Sequence, residues 1–64
     1  MKENSEHIGK WLNYLNESKI ESINNLIDDY LNDENTIEDL NKFAFNNNLM
    51  SFKVYSKQLK INSL

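Results

Sequence analysis

Apolar residues recur along this chain at spacings of three and four, separated by short polar stretches. Ile8, Trp11, Leu12 and Leu15 stand at i, i+3, i+4 and i+7, one face of an amphipathic helix. The spacing predicts a first helix over about 6–16, with Ser5 as its N-cap and Tyr14 off the stripe. A second stripe, Ile20, Ile23, Leu26, Ile27, Tyr30 and Leu31, predicts a helix over about 19–32. The step from Leu15 to Ile20 puts the two stripes out of phase. Ser18-Lys19-Ile20-Glu21 matches a capping box at that point, in which serine and glutamate satisfy amides reciprocally. A break near Asn16-Glu17 is therefore expected. The alternative is one bent helix over 6–32, since no glycine or proline stands at the junction.

Asn32-Asp33-Glu34-Asn35 is a run of turn formers. Thr36 then caps a third helix over about 37–46, where Glu38 and Asp39 favour the positive helix end and Ile37, Leu40, Phe43 and Ala44 form the apolar face. The run Asn46-Asn47-Asn48 ends it. Beyond Leu49 the pattern is ambiguous. Phe52, Tyr55 and Leu59 fit a helix capped by Ser51, whereas Phe52, Val54 and Ser56 also alternate as a strand does. A helix over about 52–60 is preferred because a lone strand has no partner sheet, and one glycine without proline makes hairpins unfavourable. The expected fold is all-α: a small single-domain bundle of three to four short helices spanning 1–64, with residues 1–4 and 62–64 frayed. Its expected core is Ile8, Trp11, Leu12, Leu15, Ile20, Ile23, Ile27, Tyr30, Leu31, Ile37, Leu40, Phe43, Ala44 and Phe52.

Size sharpens this picture. A chain of 64 residues buries only about 60% of the surface it exposes unfolded, so nearly every large apolar residue must join one core or meet a second subunit. There is no cysteine, which excludes a disulfide framework and thiolate metal sites and favours a cytoplasmic setting. No apolar run reaches the 18–20 or so residues of a membrane span, and the polar start Met1–Glu6 does not read as a secretory signal. All seven basic residues are lysine, and asparagine is abundant. That composition suits an AT-rich coding sequence of the kind found in Firmicutes, phages and mobile elements.

The net charge of −3 conceals a split. Ten acids and three lysines in residues 1–41 leave −7, while four lysines and no acid in residues 42–64 leave +4. Such asymmetry marks a binding face, or else the basic part lies against the acidic part of the same chain.

Catalysis has little to work with. His7 is the sole histidine, near a terminus and without an evident orienting group. One glycine cannot build a phosphate loop, and the acids between 28 and 39 lack calcium-loop spacing. No enzyme activity, cofactor or metal is expected. The leading expectation is an acidic protein-interaction module: an inhibitor or regulator, of phage or mobile-element type, that binds a nucleic-acid-handling protein through its basic surface. Its acidic face would comprise Glu21, Asp28, Asp29, Asp33, Glu34, Glu38 and Asp39. The alternative is a helix-turn-helix DNA-binding regulator. There Ala44 lies at the helix contact, Asn48 in the turn and Leu49 and Val54 in the core. Residues 51–60 then form a recognition helix bearing Lys53, Ser56, Lys57, Gln58 and Lys60. Against it stand Asn47 and Lys57 at positions that want apolar side chains, the missing arginine and a pI near 4.9. A third reading is a homodimer, suggested by the off-stripe aromatics Tyr14 and Phe45.

Overall fold

In a computed structural model that describes residues 5–62, four helices follow one another: α1 (Ser5–Glu17), α2 (Ile23–Leu31), α3 (Ile37–Asn46) and α4 (Phe52–Asn62). No strand occurs among the described residues, so the all-α expectation holds and the helix reading of 52–60 is the right one. The expectation for residues 1–4, 63 and 64 lies outside the described residues. Asn62 is the last residue of α4.

Three helices end in the same way. At each C-terminus a residue enters the left-handed region: Lys19 (φ 56), Asp33 (φ 63) and Asn48 (φ 61). The following amides reach back in the Schellman pattern. Asn48 N–H donates to Phe45 O and Leu49 N–H to Ala44 O, at 3.3 and 2.8 Å; Asp33 and Glu34 do the same to Tyr30 and Asp29, at 3.1 and 2.7 Å. At α1 the longer of the two bonds passes through a side chain. Ile20 N–H donates to Ser18 Oγ at 3.4 Å, and Ser18 Oγ donates to Leu15 O at 2.6 Å.

This corrects the Ser18–Glu21 capping box. Ser18 closes α1 instead of opening the next helix, and the left-handed turn at Lys19 takes residues 20–22 off the helical path. The break between the first two helices stands, but α2 begins at Ile23, four residues late. Its N-cap Ser22 is itself left-handed (φ 84) and makes no side-chain cap bond. A left-handed L-residue costs roughly 1–2 kcal/mol, against roughly 0.5–1 kcal/mol for the extra chain entropy of glycine. Lys19→Gly is therefore expected to stabilise the domain by about 0.5–1 kcal/mol, raising the melting midpoint by a few degrees. A lowered midpoint in a thermal melt would show that the Lys19 side chain holds the corner by other means.

Thr36 behaves as expected. Its N–H donates to Asp39 Oδ2 at 2.9 Å, the return bond of a capping box, and its hydroxyl donates to the same oxygen at 3.3 Å. Ser51 likewise caps α4, with Oγ accepting from Val54 N–H at 3.4 Å.

The domain is a slab of 34 × 28 × 16 Å. A helix with its side chains is about 10–12 Å across, so little can be shielded from every side. Trp11, Leu15, Ile23, Leu40 and Ala44 alone are fully buried apolar residues among those described. Leu12, Ile27, Tyr30, Ile37, Phe43 and Phe52 pack around them as expected, joined by Tyr14, Leu26, Leu49 and Tyr55. Two expected core residues, Ile8 and Ile20, are half-buried and stand apart from this cluster. Leu31 is wholly out of place, 64% exposed.

α1 packs on both α2 and α4, and α2 packs on α3. Two side chains of α1 clamp the connector between α3 and α4. Trp11 Nε1–H donates to Met50 O at 2.9 Å, and Met50 N–H donates to Tyr14 Oη at 2.7 Å. The aromatics continue the clamp into α4: Trp11 meets Phe52 edge-on at 5.5 Å, and Tyr14 stacks on Tyr55 at 5.0 Å. Asn41 Oδ1 accepts from Phe52 N–H at 2.9 Å, which ties α3 to the start of α4. The off-stripe Tyr14 thus seals a helix junction.

Candidate interaction surfaces

Three surfaces follow from this packing. The first is the acidic corner of α2 and α3. Asp28, Asp33, Glu34, Glu38 and Asp39 are exposed there and Asp29 is half-buried, whereas Glu21, also exposed, lies in the α1–α2 connector at the other end of α2. Asp39 is engaged in the capping bonds to Thr36, and the backbone carbonyl of Asp29 accepts from Glu34. Leu31 lies within this field, three residues after Asp28 and followed by Asp33 and Glu34.

The second surface is a groove of about 290 Å³ between α1 and α2, lined among others by Gly9, Leu12, Ile27, Asp28 and Leu31. It explains why Leu31 is uncovered. Leu31 sits at the edge of the α2 stripe centred on Ile23, Ile27 and Tyr30, where α1 presents Gly9 and Asn13. Gly9 offers no side chain, and a Cβ built there meets nothing within 4 Å. Its φ is not positive, and it stands inside a helix, where glycine costs about 1 kcal/mol relative to alanine. Nothing in the fold asks for glycine at this place, while three helix ends that favour it carry lysine, aspartate and asparagine.

The third surface is α4. Its buried side is Phe52, Tyr55, Ser56 and Leu59. This corrects two placements made for a recognition helix. Ser56 is 9% exposed and turned inward, its Oγ sharing a 2.7 Å hydrogen bond with His7 Nδ1 of α1. Val54, expected in the core, is 46% exposed. The cause is the clamp on Met50 and the stacking of Tyr55 on Tyr14, which rotate α4 so that 55 and 56, not 54, meet the core. Ala44 is buried and Asn48 stands in the turn as expected, left-handed, while Leu49, expected in the core, is half-buried and packs against it. Lys53, Lys57, Gln58 and Lys60 remain on the surface. A second groove of about 290 Å³ runs past Phe52, Lys53, Ser56, Lys57 and Lys60.

His7 and Ser56 are the one pair resembling a nucleophile and its base. No carboxylate among the described residues orients His7, and the bond joins α1 to α4. No group of three or more histidine, cysteine or acidic residues is placed to hold a metal among the described residues, and no described helix is long and apolar enough to cross a membrane.

The salt bridge between described side chains is Lys10–Glu6, 3.8 Å and within α1. Lys42, Lys53 and Lys57 make none with a described acid.

The described residues define a small all-α domain of four short helices, with an acidic corner and a basic last helix on one body. No protein-family model, curated protein or solved structure matches the chain.

Proposed function

We propose that the protein is an acidic interaction module that binds the basic surface of another protein, with the α2–α3 corner as its binding face. The observation that carries this reading is Leu31, 64% exposed among the exposed carboxylates of Asp28, Asp33 and Glu34. A large apolar side chain open to water costs the isolated domain its burial energy. With Asp28 beside it in the groove and Asp33 and Glu34 next in sequence, it has the layout of an interface anchor. Apolar contact gives residence, and the surrounding field steers the encounter and rejects partners of like charge. Proteins that handle nucleic acid carry the complementary basic surface, so the partner class is of that kind, and the module acts by covering the surface its partner uses.

The test compares capture from host lysate by the native protein and by a variant with Asp28, Glu34 and Glu38 changed to lysine. These three are exposed and have ordinary backbone angles, so circular dichroism should show an unchanged fold. A basic protein is expected to be retained by the native chain alone, and its on-rate to fall tenfold or more in the variant. Changing Lys53 and Lys57 to glutamine should leave capture near its native level. The opposite ranking, together with a salt-sensitive gel shift on DNA, would replace this reading with nucleic-acid binding through α4.

A further inference from the structure

We propose that the α1–α2 groove is also the docking site for the outer face of α4 from a second copy of this chain, so that the protein self-associates acidic half to basic half. This rests on the reading above only in taking the Asp28–Leu31 surface as a binding face. Both sides of the contact are present on one molecule. The groove is lined by Leu12, Ile27 and Leu31 together with three asparagines, Asp28 and the bare backbone of Gly9.

A position without Cβ lets another backbone approach closely. The open space at Gly9 is thus an explanation for a glycine that the fold itself does not require. On the other side, α4 presents Val54 and Ile61, 46% and 60% exposed. They are seven residues apart, two turns along one stripe, or about 10 Å at the helical rise. Lys57 lies between them and Lys53 beside them. That stripe is directly opposite the Phe52, Tyr55, Ser56 and Leu59 face through which α4 packs on its own α1. It therefore cannot turn back to the groove of its own molecule.

Residues 1–41 carry −7 and residues 42–64 carry +4, and Lys53 and Lys57 form no ion pair with a described acid. In one of its two directions, an α4 laid in the groove sets Val54 and Ile61 against the apolar lining and brings the second copy's Lys57 toward Asp28. A basic partner and a second copy then compete for one surface, so self-association holds the module in reserve until the partner displaces it.

Sedimentation of the purified protein alone tests this, across micromolar to millimolar concentrations and at about 50 and 500 mM salt, either side of the screening range. Concentration-dependent association that weakens about tenfold or more in high salt is expected. Gly9→Leu places a side chain in the groove from a Cβ that meets nothing within 4 Å. It should keep or raise the melting temperature while abolishing association. Asp28→Lys and Lys57→Glu should each sediment as monomers. Mixed, they should pair one to one, since the first retains an intact α4 and the second an intact groove. The mixing arm stands even if Gly9→Leu misfolds. A native protein that stays monomeric throughout, or association that survives all three substitutions, overturns the proposal. A monomer that still captures a basic protein leaves the proposed function standing; self-association without capture does the reverse.

Discussion

Trp11→Ala is expected to destabilise the domain by about 3–5 kcal/mol, most of what a 64-residue chain possesses at roughly 0.05–0.15 kcal/mol per residue. The magnitude follows from three losses at once. The side chain is fully buried, so its removal leaves a cavity. Its edge-on contact with Phe52 disappears, and Met50 O loses the indole N–H that pins the α3–α4 connector. Trp11→Phe separates these effects. It keeps most of the volume but orphans the carbonyl, at about 1–3 kcal/mol. Urea denaturation followed by circular dichroism measures both. Tryptophan emission from the native protein should be blue-shifted, and a spectrum equal to that of free tryptophan would refute the packing described here.

The second large effect is expected at Leu40, and its value lies in comparison with Leu31. Both are leucines on helical stripes, Leu31 at the edge and end of its own and Leu40 in the middle of its own. Leu40 is completely buried, and Leu40→Ala should cost about 2–5 kcal/mol. Leu31→Ala should stay within about 0.5 kcal/mol, as surface substitutions do. An equal cost at the two sites would mean that Leu31 belongs to the core, and both the corner and the groove would lose their anchor.

The two leucines also show what periodicity can and cannot reveal. The helices of Trp11 and Leu15 and of Leu40 and Ala44 could be read from spacing, because each stripe meets its neighbour squarely. Spacing could not place Leu31, because its exposure depends on how α1 lies against α2, with a groove left between them. The start of α2 was hidden for a similar reason. Ser18 has the chemistry of an N-cap and the geometry of a C-terminal relay, and only the left-handed turn at Lys19 selects between them. In α4 the helix was legible but its rotation was not, since Trp11 and Tyr14, more than thirty residues away, set it through Met50, Phe52 and Tyr55. Ser56 accordingly looked like a surface residue and is buried. The acidic corner was visible as composition. That Leu31 stands inside it was not.

The contacts between α1 and α4 carry a consequence for the order in which the molecule comes together. The His7–Ser56 bond spans 49 positions and the Trp11–Met50 bond 39, whereas the pairings of α2 with its neighbours are local. Closing a long loop costs chain entropy before its contacts return any stability. During synthesis α1 therefore emerges early with Trp11 uncovered, and it stays so until α4 follows. A nascent chain halted before residue 50 has helices that cannot settle and an aromatic surface open to chaperones and proteases. Its first helix is the earliest made and the last to be secured.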